Sequence, residues 1–539
     1  NVFRTKQLAI MFPFIILILL FLAFVIHKRK TLEEFIVLQK RAATLFTKIP
    51  GPPTMPLIGA AHQFKLDPKE FMNQTEQVFK ELCYNNESRC GLLSVWIGPA
   101  PITIIESPDM IRDILESNTL ITKSMQYDII SKWIGTGLLT STNEKWFSRR
   151  KMLTPSFHFT VLKSYSEIFT RQSEVMSTQL EADSNTGREV DLFPYIKKCA
   201  LDIICETAMG TSINAQGGAN SLYVDSVARL SDIIFSFFRF PWLWIKPVWY
   251  ISGMGFEFDR LVKITNDFTR KVISERRKAL IEEGKLDGNG NVKEGEKNQK
   301  MAFLDLLLLK QREASLTDED IREEVDTFMF EGHDTTASAM AFCVWFVGQN
   351  NEIQERIHEE VDEVLGDREV EETDLKRLVY LERCIKETLR LRPSVPFIAR
   401  RLTHDITLRD FVLPENMTVI MSPISAHRDP QHWEYPDDFY PDHFTAEASS
   451  TRHSYAYFPF SAGPRNCVGQ KFALAEEKTV LATLFRKYRV ESVEPTPGNI
   501  AVPEVPIVLF LESTISKCSA DIFVNMLPFD TFTSPQYVL

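Results

Sequence analysis

The sequence predicts a mainly α-helical domain with small β-sheets, on three observations. Long stretches place apolar residues at helical spacing, above all 318–350, 374–391 and 469–488. Strand-like runs are few and short: Leu92–Ile97, 102–105 and Thr418–Met421. Composition is that of a large globular core, 44% hydrophobic and 25% charged, with no internal repeat.

The N-terminus departs from that composition. Residues 8–26 (LAIMFPFIILILLFLAFVI) carry no charge. As a helix they rise about 28 Å, near the thickness of a bilayer core. Lys28, Arg29 and Lys30 follow at once, against Arg4 and Lys6 before. The positive-inside bias then leaves the bulk of the chain in the cytosol. A cleaved signal peptide is disfavoured, because the run is too long and lacks a small-residue cleavage site. Residues 1–30 are therefore expected to be a membrane anchor. Residues 31–60 are expected to be a Pro-rich linker, with IPGPPTMPLIG at 49–59 as a stiff hinge. Residues 61–539 form the main domain, with a solvated loop at 284–300. A net charge of −11 argues against nucleic-acid partners. Eight cysteines without a CxxC pair point to a reducing compartment.

Within the helix expected at 318–350, with Thr317 as its N-cap, lies the run Phe330-Glu331-Gly332-His333-Asp334-Thr335-Thr336. Glycine costs about 1 kcal/mol against alanine there, and Asp and Thr are weak helix formers. Such breaches of local preference mark functional turns. Thr335 can bond back to a carbonyl one turn earlier and open the helix. A kinked helix with a satisfied aspartate is the plainer reading of the same run, and His333 reads as a packing residue.

Just before the helix expected at 469–488 stands Phe460-Ser-Ala-Gly463-Pro-Arg465-Asn-Cys467-Val-Gly469. Its glycines and proline permit a tight turn against a planar ligand. The following helix N-terminus favours thiolate over thiol at Cys467. A thiolate is the ligand that drives O–O cleavage at haem iron. Glu387 and Arg390 sit i,i+3 and can pair as scaffold, and Trp146 and Arg150 sit i,i+4.

Phe460, Gly463, Arg465, Cys467 and Gly469 match the FxxGxRxCxG motif, and the sequence here resembles the cytochrome P-450 superfamily. The resemblance implies that fold, with an N-terminal transmembrane anchor. It implies haem b with Cys467 as axial iron ligand and Arg465 on a propionate. Phe460-to-Gly469 cradles the haem; Trp146, Arg150 (WxxxR) and Arg400 are further propionate contacts. Asp334 and Thr335 match the acid–alcohol pair that delivers protons to bound O2. Glu387 and Arg390 match the structural ExxR pair. Its usual arginine partner is replaced in Pro441-Asp442-His443-Phe444 by the shorter His443, which weakens the expected network. EVDTFMFEGHDTT at 324–336 and CALDIICETAMG at 199–210 resemble the family 4 group. There the glutamate at Glu331 can form an ester with a haem methyl, and substrates are often fatty acids hydroxylated at or near the chain end.

The same resemblance implies electrons from NADPH through a cytochrome reductase, or from a small cytochrome donor, at the endoplasmic reticulum membrane. Lys145, Arg149, Lys151 and Lys471 are expected to form a basic docking patch for that donor. The aromatic run at 233–250 and Ile134, Leu138 and Leu139 are expected at substrate or lipid contacts, favouring a lipophilic small molecule. The family's closing strand pair is not recognisable in 505–539. A haem-thiolate isomerase or dehydratase, and a haem- or ligand-binding membrane protein without turnover, remain the alternatives. The Asp334–Thr335 pair argues against both.

Overall fold

Thr317 caps the helix around which the molecule is built. Its hydroxyl accepts from the Asp320 amide while the Asp320 carboxylate accepts from the Thr317 amide, both at 3.0 Å, a reciprocal capping box. Three acidic residues in the first turn complement the helix dipole. The computed structural model describes residues 27–84, 90–157, 159–184, 189–218, 220–287, 301–492 and 506–511.

Ten helices position the site. They are α1 (Arg29–Phe46), α2 (Tyr127–Ile134), α3 (Asn143–Leu153), α4 (Phe159–Ser184), α5 (Phe193–Thr207), α6 (Ser221–Arg239), α7 (Met254–Glu282), α8 (Asp318–Val347), α9 (Val379–Leu391) and α10 (Gln470–Lys487). The capped helix is α8. Its C-terminal half is buried on nearly every side, so it runs through the core rather than along it. It packs against α5, α9 and α10. The approach to α5 explains Gly332: a Cβ there would meet Ile204 at 2.7 Å. That glycine serves helix contact, not only the chemistry of its turn.

The strands are β1 (Leu92–Ile97), β2 (Ala100–Ile105), β3 (Val190–Asp191), β4 (Ile398–Arg401), β5 (Ile406–Leu408), β6 (Phe411–Leu413), β7 (Thr418–Met421), β8 (Tyr488–Ser492) and β9 (Pro506–Leu511). They make three sheets, ordered β1-β2-β7-β4, β3-β9-β8 and β5-β6. The architecture is mainly α with small sheets, as expected.

Several boundaries differ from expectation for physical reasons. The helix expected from 374 starts at Val379, because Asp374 closes a turn instead. Its carboxylate accepts the Glu371 amide at 2.9 Å and both Arg368 Nη groups at 2.6 Å. Much of the expected linker is structured. Residues 31–46 belong to α1, and the Pro-rich stretch after it is docked. The Pro50 carbonyl accepts from the Ser94 amide at 2.8 Å, and Gly59, at φ +66°, bridges Ile97. The missing strand pair is also corrected: β9 pairs antiparallel with β8 over Tyr488↔Leu511 to Ser492↔Ile507, and with β3. The rest of the tail, 512–539, and the anchor expected at residues 8–26 lie outside the described residues. Among the described residues no helix is long and apolar enough to cross a membrane.

The scaffold pair is intact. Arg390 donates Nε and Nη2 to Glu387 at 2.8 and 2.7 Å, and three further bonds to the carbonyls of His427, Pro436 and Asp438. Contrary to the expected weakening, His443 does reach the pair: its Nδ1 lies 3.1 Å from Glu387 Oε1. Arg452 also donates to the His443 carbonyl and stacks 3.7 Å from the Trp433 ring. Both members of the pair are 0% exposed, so removing one strands a buried charge. Glu387→Ala is expected to cost about 3–5 kcal/mol of stability. Denaturant titration of the holoprotein checks it; a loss below about 1 kcal/mol would mean that the carbonyls of His427, Pro436 and Asp438 satisfy Arg390 without the carboxylate.

Candidate active site

The loop before α10 is folded around one residue. The Cys467 amide donates to the Phe460 carbonyl at 2.9 Å, and the Asn466 amide to the Gly463 carbonyl at 3.1 Å. Gly463 sits at φ +66°, and a Cβ there would lie 1.9 Å from the Leu115 carbonyl oxygen, so no side chain fits. Gly469 is the N-cap of α10, and its amide donates to the Cys467 sulfur.

Cys467 is exposed by surface area, yet protein surrounds it on every side. The two facts agree if its sulfur looks into an internal hollow. The same holds across from it. Phe330, Glu331, Asp334 and Thr335 are only half-buried, although the residues on either side of that turn of α8 are mostly buried. Glu331 is the carboxylate that acts most strongly on Cys467. Burial pushes the thiol up to about 12, and Glu331 adds to this, while the Gly469 amide and Arg150 oppose it. The Gly469 amide and Arg150 favour the thiolate against that burial, and metal ligation completes it, in line with the expectation that loop and metal act together.

The turn of α8 above the sulfur is rich in side-chain bonds to carbonyls. Thr335 Oγ1 donates to Glu331 O at 2.7 Å, Thr336 to Gly332 O at 2.8 Å and Ser338 to Asp334 O at 2.8 Å. The back-bond expected of Thr335 is present, but the opening is not: α8 is continuous through it. His333 is fully buried with Nδ1 2.5 Å from Met329 O, and burial brings it down to about 4, leaving it neutral. Burial likewise raises Glu331 to about 7, opposed by Lys123 and Arg465.

Asp334 has a partner the sequence reading missed. Lys197 on α5 places Nζ 2.7 Å from Asp334 Oδ1, with its own side chain 5% exposed. A lysine inside the apolar run of α5 was the available signal, since such a charge needs a buried mate.

Cations collect on one side of the hollow. Lys123, also unread in the sequence, lies 4.1 Å over the Tyr127 ring; burial holds it well below its usual range, and Arg400 and Arg465 depress it further. Burial lowers Arg400 and Arg150, and brings Arg465 to about 9. Arg465 stands 4.9 Å over the Trp146 ring and gives its Nη groups to four carbonyls, of Ile121, Ser141, Leu138 and Leu139, at 2.7–3.1 Å. It organises that loop from within. Arg150 donates to Asn466 O and Oδ1 at 2.7 and 2.6 Å, next to the cysteine. Glu331 acts on both Lys123 and Arg465. Several desolvated cations near an accessible sulfur suit a flat group with two carboxylates and a metal. Haem fits that set; when bound it supplies redox and dioxygen chemistry at iron.

The expected basic patch is largely neutralised. Lys145 pairs with Glu323 at 2.9 Å; Arg149 is buried, 2.5 Å from Asp320 and 3.6 Å from Glu324. The acidic first turns of α8 lie against α3 and consume both. Lys151 and Lys471 remain exposed.

The Cytochrome P450 family model matches residues 49–514. The chain is 44% identical over 443 residues to "Cytochrome P450 4V2" of Homo sapiens, covering 81% of this chain and 83% of that protein. It is 40% identical to "Cytochrome P450 4c3" of Drosophila melanogaster, covering 85% and 87%. It is 37% identical to "Cytochrome P450 4c21" of Blattella germanica, covering 92% and 98%. A cysteine loop open to a cation-lined hollow, and this coverage, lead to one conclusion: the chain belongs to the cytochrome P450 family, in its family 4 group, and is a haem-thiolate monooxygenase drawing electrons from a redox partner.

Proposed function

We propose that the enzyme inserts oxygen into a C–H bond of a fatty-acid-like chain, with NADPH as electron source through a membrane reductase. The supporting observation is the turn Phe330–Thr335, where an apolar ring and the Asp334 and Thr335 side chains are half-buried together on one turn of α8. Phe330 is backed by Trp133 at 4.6 Å between rings. An apolar chain beside Phe330 and Trp133 would be held by burial of its apolar surface.

In this reading Cys467 is the axial ligand, with Trp146, Arg150, Lys123, Arg400 and the Nε of Arg465 holding the propionates. Lys197 holds the Asp334 carboxylate through the 2.7 Å ion pair, and Thr335 presents a hydroxyl one residue on. Attachment to the endoplasmic reticulum membrane is part of the proposal. It is supported by the apolar segment 8–26 and by Trp242, Ile245, Ile251 and Phe256, all exposed around the α6–α7 connection. Leu57 is 87% exposed at the same corner, beside Pro241 across Gly98. Other residues of the aromatic run, Ile233, Phe240, Leu243 and Trp249, are core.

Two measurements test the reading. With NADPH and reductase, the holoenzyme should hydroxylate dodecanoic acid near its methyl end; NADPH use without hydroxylated product would count against a fatty-acid substrate. A haem ester at Glu331 is part of the proposal, supported by the electrostatic action of Glu331 on Cys467. Acid-solvent extraction should release free haem from Glu331→Ala but little from wild type. Equal release would rule the ester out.

A further inference from the structure

The loop between α9 and β4, residues 392–397, is pinned at three places. At its start Arg392 Nη1 pairs with Glu76 at 2.8 Å. At its end Ile398 enters register with Met421. Between them Ser394 Oγ donates to the backbone carbonyl of Thr335 at 2.8 Å. Among the described residues this is the one hydrogen bond from the loop to α8. Pro393 and Pro396 flank the serine and stiffen the segment.

The bond lands on the turn that carries the acid and alcohol. Here the Glu331, Gly332 and Asp334 carbonyls already take hydroxyls from within the helix, and Thr335 takes one from outside. The next residue of the loop, Val395, is 42% exposed although its neighbour is bonded to a core helix. Its side chain is therefore not taken up by the core, one residue from the bond to the α8 turn. Phe397 is half-buried on the same short strap.

We infer that Ser394 is a positioning residue: it registers the apolar wall carrying Val395 and Phe397 against the turn carrying Thr335. The distance from that wall to the hydroxyl then decides which carbon of a chain lies over the iron, and whether protons arrive while a C–H bond is in place. Without the bond the strap keeps its two outer anchors, so the fold survives. What is lost is the registration, and the carbonyl of Thr335 keeps only its helical partner. The inference rests on the proposed lipophilic-chain substrate only for its regiochemical part.

The variants are Ser394→Ala and Ser394→Thr, prepared as haem-loaded full chain. Both should keep the thiolate-type Soret band with carbon monoxide, since Cys467 is untouched. Amide exchange across 336–340, measured without substrate, should rise about fivefold in the alanine variant and return in the threonine variant. Substrate-free NADPH oxidation should release several-fold more peroxide in the alanine variant, with threonine again restoring it. With dodecanoic acid, the alanine variant should shift hydroxylation from the chain end to inner carbons. Unchanged exchange and unchanged peroxide in Ser394→Ala overturn the inference. If wild type leaves dodecanoic acid untouched, the fatty-acid reading fails, while the two substrate-free measurements still decide the role of Ser394.

Discussion

Replacing Cys467 by alanine is expected to abolish the red-shifted Soret band of the reduced, carbon-monoxide-bound protein. Turnover should fall far beyond the about 10–100-fold that loss of an outer-shell partner costs. The loop itself should survive, because its bonds are backbone ones: Cys467 N to Phe460 O, and Asn466 N to Gly463 O. His333, the histidine nearest in sequence to the oxygen-handling pair, holds Nδ1 on Met329 O and is buried against Tyr223, 6.0 Å between rings. Among the described residues no cluster of His, Cys, Asp and Glu could hold a metal on its own. The result also bears on the thiol. Burial pushes Cys467 up to about 12, so metal ligation would be needed to hold it as the thiolate. Persistence of the band in Cys467→Ala would place the ligand elsewhere and undo the site as drawn.

Contiguous features of the site were legible in the sequence, and those made by packing were not. The cysteine loop, the Phe330–Thr336 turn and the ExxR pair are short motifs whose residue types follow from local chemistry. The N-cap of α8 was equally readable, because a capping box is written within four residues. Lys197, Lys123 and Ser394 were missed because each is defined by a partner in another element, Asp334, Arg400 with Arg465, and Thr335. Gly332 was only half understood: its place in the motif was visible, but its contact with Ile204 belongs to helix packing. Asp374 misled because an acid can open a helix or close a turn, and Arg368 decided. The basic patch failed for the same reason, since Lys145 and Arg149 look free until α8 brings Asp320, Glu323 and Glu324 beside them.

Asp334→Asn is expected to lower turnover by about 10²–10⁴-fold, the range for losing a positioned proton donor. The side chain keeps its shape, so the substitution asks only about the proton. An amide cannot pass one on, and it leaves Lys197, 5% exposed, without its counter-charge. Two effects are therefore mixed in this variant, and Lys197→Met separates them. Removing the lysine frees Asp334 from its ion pair but leaves a titratable carboxyl beside Thr335, so turnover should fall less than in Asp334→Asn. The solvent isotope effect should rise in Asp334→Asn as proton transfer becomes limiting, while the carbon-monoxide band stays in place because Cys467 is unaltered. If Asp334→Asn turned over normally and Lys197→Met did not, the buried pair would be a structural bolt between α5 and α8. Proton delivery would then have to run through the Thr335 hydroxyl and solvent alone.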